Sequence, residues 1–135
     1  MLRYLLPLLA LAGCAMTPRE AAQRDARDAK DLTRLAERLR GYEPGKPQSC
    51  IGAFNRNRNV TVYGDTLVYR DGAKLYRTDT GGGCFGLRRD DIIVTRSFTG
   101  QICRGDIVTT VDRTSGFNSG SCTYGDFIPY TKKRA

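Results

Sequence analysis

The stretch VTVYGDTLVYRDGAKLYRT, residues 60–78, decides the fold class of this chain. Apolar and polar side chains alternate in short runs rich in Val, Thr and Tyr, which is the pattern of β-strands with one buried face. Asp71-Gly72 separates two of these runs and is a strong hairpin signal, because glycine accepts the positive φ that a tight turn needs. The stretch therefore predicts an antiparallel meander.

The same composition continues outward on both sides of this stretch. Short runs of β-branched and aromatic residues alternate with Gly and Asp turn signals. The predicted strands are Ser49–Phe54, Asn59–Tyr63, Thr66–Arg70, Lys74–Thr78, Asp91–Phe98, Gln101–Arg104 with Asp106–Val111, and Asp126–Tyr130. Because closure removes exposed strand edges, we expect a mainly β domain over residues 48–135, an antiparallel meander that closes into a small barrel-like or rolled sheet.

A helix is predicted in front of this domain, over residues 17–40, which are rich in Ala, Arg, Asp and Leu. Thr17 is placed as the N-cap, and Pro18 as the first helical residue. Oppositely charged pairs four residues apart would stabilise this helix: Glu20 with Arg24, and Arg27 with Asp31. We expect a helical tether that is solvated or lies on its own domain, with a partner-binding helix as the alternative.

The N-terminus has the layout of a secretory signal, with Arg3 followed by an apolar run that is too short to cross a bilayer. The run closes on Leu11-Ala12-Gly13-Cys14, which resembles a bacterial lipobox. We therefore expect residues 1–13 to be a lipoprotein signal peptide, and residues 14–47 to be a lipidated Cys14 with its helical spacer. Ala15 resembles the sorting pattern for the outer membrane, facing the periplasm. The alternative is an ordinary signal peptide with a chance cysteine.

In an oxidising compartment, the four remaining cysteines predict two structural disulfides. We favour Cys84 with Cys103, which would staple one local strand unit, and Cys50 with Cys122, which would join the first and last strands. Cys84 with Cys122 is the rival pairing. A redox centre or a zinc site is not expected, because the chain contains no histidine and no Cys-x-x-Cys motif.

No catalytic arrangement is recognisable in the sequence. The absence of histidine excludes a Ser-His-Asp or Cys-His nucleophile. Asp90 and Asp91 are neighbours that would point to opposite faces of a strand, and turn chemistry explains them better than acid–base catalysis. The glycines of residues 81–83 lack the helix, Lys and Ser or Thr of a phosphate loop, so they predict a flexible connection. We expect no enzyme activity, no metal and no cofactor.

The chain carries a formal net charge of +8, which indicates acidic surroundings. For an exported protein, the expected anions are lipid headgroups and other envelope polyanions rather than nucleic acid. Five arginines are candidates for one anion-binding face: Arg56, Arg58, Arg88, Arg89 and Arg104. The alternative is that the positive charge only keeps the domain soluble.

An ordered set of motifs between residues 49 and 129 resembles a family of small proteobacterial envelope proteins of unknown function. The set contains Cys50-Ile51, Asp65-Thr66-Leu67 with the hairpin leading to Tyr76, Cys84-Phe85-Gly86-Leu87, Cys103-Arg104-Gly105-Asp106, and Cys122-Thr123-Tyr124-Gly125-Asp126-Phe127. The resemblance implies a disulfide-bonded domain behind a signal peptide, and it implies no activity.

We therefore expect a non-enzymatic envelope lipoprotein, whose tethered β domain has a binding or structural role at the membrane surface. Its expected partners are the membrane, through the lipid anchor, and an anionic envelope component or a protein. The alternative is a periplasmic inhibitor of a lysozyme-type hydrolase, with the hairpin from Tyr69 to Tyr76 as its reactive loop. Like charge weakens that alternative, because lysozymes are commonly basic.

Overall fold

The computed structural model describes residues 15–52 and 59–134. In these residues it has an α-helix, α1 (Pro18–Arg38), and a short 3₁₀ helix (Phe85–Arg89). The strands, in chain order, are β1 (Tyr42–Pro44), β2 (Cys50–Gly52), β3 (Val60–Tyr63), β4 (Thr66–Asp71), β5 (Lys74–Asp79), β6 (Ile92–Thr95), β7 (Gln101–Cys103), β8 (Ile107–Val111), β9 (Asn118–Thr123) and β10 (Ile128–Lys132). The prediction of a mainly β domain with one N-terminal helix is confirmed.

The described strands form three antiparallel sheets. Their strand orders are β1-β10-β5-β4-β3, β2-β7 and β6-β8-β9. None of the sheets in the described part of the chain closes on itself, so the predicted barrel-like closure is not confirmed. Isolated backbone contacts join the sheets instead: Gln48 and Phe127 exchange two hydrogen bonds of 2.9 Å, and the Gly105 N–H donates to the Tyr124 carbonyl at 2.9 Å.

One core receives side chains from all three sheets. Its buried members are Ile51, Leu67, Tyr69, Cys84, Leu87, Ile102, Val108, Cys122, Tyr124 and Phe127. The rings of Tyr69, Tyr124 and Phe127 lie 5.5–6.4 Å apart in tilted or edge-on arrangements, which aromatic pairs prefer. The shared core explains why sheets of two and three strands are stable here, although such small sheets are marginal alone.

The C-terminal half of α1 covers the other face of the five-stranded sheet. Leu35 is the buried residue of the helix, and it belongs to a second apolar cluster with Tyr63, Val68 and Leu75. The Arg34 guanidinium lies 5.3 Å from the centre of the Tyr63 ring, within range of a cation–π contact. The helix therefore lies on its own domain through its second half, while its first half is largely exposed.

The helix begins where the sequence predicts. Thr17 is the N-cap, Pro18 opens the helix, and Glu20 completes a capping box with Thr17. The Glu20 N–H donates to the Thr17 hydroxyl, while the Thr17 N–H donates to the Glu20 carboxylate at 2.9 Å. This reciprocal arrangement satisfies backbone donors that the first helical turn leaves unpaired.

The two disulfides join Cys50 to Cys103 and Cys84 to Cys122. The favoured pairing of Cys84 with Cys103 and Cys50 with Cys122 is therefore wrong, while the rival pairing of Cys84 with Cys122 is correct. The physical reason is strand order: Cys50 of β2 lies directly opposite Cys103 of β7 in the ladder. Cys122 belongs to β9 rather than to β10, and it lies next to Cys84, the N-cap residue of the 3₁₀ helix.

Other differences lie in the connections. The sequence did not predict β1, β9 or the 3₁₀ helix, and β6 is shorter than the predicted strand Asp91–Phe98. Residues 53 and 54, at the end of the predicted strand Ser49–Phe54, lie outside the described residues. The glycines at 81–83, predicted as a flexible connection, end in close contact with β9, since a Cβ on Gly83 would lie 2.6 Å from the Ser121 carbonyl oxygen.

Candidate anion-binding groove

A groove of about 410 Å³ runs between the first half of α1 and the 3₁₀ helix. We call it the basic groove; it is lined by Met16, Glu20, Gln23, Arg24, Arg27, Phe85 and Arg88. Three of these side chains are cationic and one is anionic. The groove is formed because the 3₁₀ helix packs against the sheets while α1 extends past it.

The guanidinium groups of Arg24 and Arg27 lack ion-pair partners because the carboxylates predicted to pair with them bind other groups, although Glu20 keeps its negative charge in the groove. Glu20, predicted to pair with Arg24, accepts hydrogen bonds from the Thr17 backbone and hydroxyl instead, and these bonds lower the pKa of Glu20. Asp31, predicted to pair with Arg27, bonds to Arg34 at 3.2 Å. Within the described part of the chain, Arg24 and Arg27 form no salt bridge. Their guanidinium groups are exposed and available to an external anion.

Arg88 forms the wall of the groove and has a structural role. Its guanidinium donates a hydrogen bond to Asp28 of α1, and it also lies 3.3 Å from the Asp65 carboxylate in the turn between β3 and β4. The bond to Asp28 raises the pKa of Arg88. Arg88 therefore fixes α1 to the sheet, and the residual positive charge of the groove comes from Arg24 and Arg27.

Two apolar side chains border these cations. Met16 is 44% exposed and Phe85 is 70% exposed, although both are large apolar residues. Phe85 follows the disulfide-bonded Cys84, so its backbone is held firmly. A site that combines free guanidinium groups with exposed apolar side chains suits an anion that is attached to an apolar group.

The predicted arginine cluster is divided among different carboxylates. Arg89 lies 3.3 Å from the buried carboxylate of Asp91, and Arg104 lies 3.0 Å from Asp126. Of the five predicted arginines, the described groove includes Arg88. Arg56 and Arg58, like the predicted lipidation site Cys14, lie outside the described residues. The sequence does not predict Arg24 and Arg27 as residues of this groove, because it assigns each of them to a helical ion pair.

The hairpin of β4 and β5, the predicted reactive loop of an inhibitor, is partly inaccessible. Tyr69 and Tyr76 are opposite each other in the ladder, and Tyr69 is fully buried in the core. The exposed part of the hairpin is the turn around Gly72. An inhibitory loop at this position would therefore have to use the turn alone.

Two further features of the described residues bear on chemistry. In residues 15–52 and 59–134, no helix combines the length and apolar character that crossing a bilayer requires. In the same residues, no three acidic, cysteine or histidine side chains are grouped closely enough to hold a metal ion.

Comparison with known proteins places the chain in a family. No curated protein and no solved structure matches it. The model of a family of unknown function, DUF6491, matches residues 1–133. Because the match covers nearly the whole sequence, the chain belongs to the DUF6491 family.

Proposed function

We propose that this protein is a non-enzymatic lipoprotein of the bacterial cell envelope, whose β domain binds anionic lipid headgroups at the membrane surface. The observation that carries the proposal is the pair of guanidinium groups of Arg24 and Arg27, which have no salt-bridge partner among the described residues and lie in a groove with exposed Met16 and Phe85. Ala15 after the lipidation site favours the outer membrane, on its periplasmic side.

The distance from the proposed anchor to the groove is short. Cys14 precedes the N-cap Thr17 by three residues, which span at most about 11 Å when extended. Along α1, Arg24 and Arg27 lie about 10 to 15 Å beyond Thr17, at a rise of 1.5 Å per residue. Acyl chains on Cys14 would therefore keep the basic groove within reach of the headgroup layer.

The energetics favour a supporting role for the groove beside the anchor. Basic residues near an anionic membrane contribute about 1 kcal/mol each. Two free arginines therefore give weak binding alone, which becomes effective when the acyl chains already hold the domain at the surface. The groove then determines the orientation of the domain, while the acyl chains supply the affinity.

The anchor is tested by mass spectrometry of the protein recovered from bacterial membranes. We expect cleavage before Cys14 and a diacylglyceryl group on its sulfur. Cys14→Ser is expected to leave the chain unacylated and uncleaved, because the proposed cleavage follows acylation of the cysteine. An unprocessed wild-type chain in the cytosol contradicts the proposal.

The groove is tested with a chain that begins at Ala15, and so lacks both the apolar signal peptide and the anchor, in co-sedimentation with phosphatidylglycerol and phosphatidylcholine vesicles. We expect binding to the anionic vesicles at low salt and little binding to the neutral ones, since salt screens exposed charges over about 10 Å at 0.1 M. Arg24→Gln with Arg27→Gln is expected to reduce the binding constant roughly thirtyfold.

A matched control removes the same charge elsewhere. Lys133→Gln with Arg134→Gln neutralises two exposed cations at the C-terminus. If the control pair weakens vesicle binding as much as the groove pair does, net charge explains the binding and the groove is not the site. Equal binding to neutral and anionic vesicles rejects headgroup recognition.

A further inference from the structure

We propose that two copies of this chain pair through β6, in antiparallel orientation, to form a continuous six-stranded sheet. Strand β6 is an outer strand of the sheet β6-β8-β9. Pairing through this strand depends neither on the lipid anchor nor on the basic groove. Among the described residues, the backbone hydrogen bonds of Ile92–Thr95 go to β8, and the other edge of β6 has no partner strand.

The edge of β6 lacks the protection that two other outer strands of the molecule, β9 and β1, have. The opposite edge strand, β9, is covered at Ser121 by the close approach of Gly83. The edge strand β1 ends in Pro44, and proline discourages pairing with further strands. In contrast, β6 has the sequence Ile-Ile-Val-Thr, which contains no charge and no proline and has high β-propensity. Such an edge is a template for strand addition.

The side chains of β6 select the register. Ile92 and Val94 are exposed on the outer face, at 44% and 39%, while Ile93 is turned toward the core. A twofold axis perpendicular to the sheet keeps both outer faces on the same side, so residues of like orientation must be opposite each other. Placing the axis at Ile93 puts Ile92 of one copy opposite Val94 of the other.

The charges next to β6 are complementary in this register. Asp90 precedes the strand, with its side chain 92% exposed, and the exposed Arg96 follows the strand. The antiparallel arrangement brings the end of β6 that follows Asp90 next to the end of the other copy's β6 that precedes Arg96, so opposite charges meet twice; Asp90 itself has a φ of 60° and lies outside the extended ladder. Arg113 holds the Asp90 carboxylate only loosely, at 3.8 Å. The chain therefore carries a self-complementary edge, and the occupant that fits it is a second copy.

The outer face of the sheet gives the pairing a further consequence. Ile107 and Val111 of β8 lie on the same face as Ile92 and Val94, and Ile107 is 64% exposed. Because the twofold axis is perpendicular to the sheet, pairing joins the two apolar faces side by side. The dimer then presents one apolar surface of about twice the width on a single side.

The register is tested by disulfide cross-linking in the full-length Cys14→Ser chain, in which the four other cysteines are already bonded to one another. Asp90→Cys and Arg96→Cys chains are prepared separately, mixed and oxidised mildly. We expect a mixed disulfide dimer from the mixture and little cross-linking from either chain alone. Arg96→Cys mixed with Lys133→Cys is the control and is expected to remain monomeric.

The charge complementarity is tested by sedimentation velocity over a concentration series. Asp90→Lys and Arg96→Glu are each expected to raise the dimer dissociation constant about tenfold, and the two changes combined are expected to restore it. A wild-type chain that stays monomeric throughout the series overturns the proposal. Cross-linking of the control mixture at the same rate, or failure of the combined charge reversal to restore the dimer, overturns the proposed register.

Discussion

The hydroxyl groups of Tyr69 and Tyr124 form a hydrogen-bonded chain in the core that connects three parts of the fold. The two oxygens lie 2.7 Å apart, and the Tyr124 oxygen is also 2.6 Å from the Thr95 hydroxyl. Burial raises the pKa of both Tyr69 and Tyr124 above the ordinary range. The chain of hydroxyls therefore holds its protons in the folded state, and it links β4, the β9–β10 connection and β6.

These raised pKa values predict a loss of stability in alkali. In the unfolded chain Tyr69 and Tyr124 ionise near pH 10, whereas in the folded chain they resist ionisation. Their contribution to the free energy of unfolding is therefore complete below about pH 10 and is lost as the pH rises further. We expect tyrosinate absorbance to show Tyr69 and Tyr124 ionising only on unfolding. Ionisation of both near pH 10 with the fold intact would show that the pair is accessible.

The surroundings of Gly86 leave no room for a side chain. A Cβ at this position would meet the hydroxyls of Ser119 and Thr110 and the carboxylate of Asp91, with the Thr110 oxygen 2.6 Å away. We expect Gly86→Ala to lower the free energy of unfolding by about 1 to 3 kcal/mol through overpacking, measured by urea denaturation. Gly45, which has no positive φ and where the atom nearest to an added Cβ is Pro129 Cγ at 3.1 Å, is the control, and Gly45→Ala is expected to cost less.

At the scale of elements, the exposed first half of α1 depends on its capping box. We expect Thr17→Ala to destabilise the start of the helix by about 1 kcal/mol, seen as faster amide hydrogen exchange over its first turns. Thr33→Ala is the control, because the Thr33 hydroxyl donates to the Ala29 carbonyl within the helix and caps nothing. Equal exchange in the two variants would contradict a capping role.

The same box predicts how the helix responds to acid. The pKa of Glu20 is lowered by hydrogen bonds from Thr17. The contribution of Glu20 to the stability of the helix start is therefore complete above the ordinary pKa of 4.5 and is lost as the pH falls below it. We expect the helical signal in circular dichroism to decrease between about pH 5 and pH 3. Glu20→Gln is expected to show a smaller decrease, and an unchanged decrease would assign the acid response to other carboxylates.

The elements also show what the sequence could predict. Strands β3, β4 and β5 follow from alternation and from the Asp71-Gly72 turn, which are local properties. Strand β9 has the sequence Asn-Ser-Gly-Ser-Cys-Thr, with little β-propensity, and it exists because β8 and a disulfide hold it. Among the residues that line the basic groove, only Arg88 was predicted from the sequence as a candidate for anion binding. The freedom of Arg24 and Arg27 depends on which partner each nearby carboxylate takes, and on the docking of the 3₁₀ helix.

At the scale of the whole molecule, the disulfides replace the large core that a short β domain lacks. They close loops of 53 and 38 residues, and the chain-entropy model gives about 4 kcal/mol for each. We expect Cys84→Ala with Cys122→Ala to destabilise more than Cys50→Ala with Cys103→Ala, because Cys84 and Cys122 are both buried in the core. Denaturant unfolding of the two double variants measures the difference, and the opposite order would contradict the role assigned to the core.

The position of β10 has a consequence for how the chain is made. Among the described strands β10 comes last in chain order, yet it lies between β1 and β5, in the interior of the largest sheet. Until residues 128–132 have emerged, the strand that follows the helix has no neighbour to pair with, and β5 has an open edge. A nascent polypeptide therefore cannot complete its largest sheet before residues 128–132 have been synthesised.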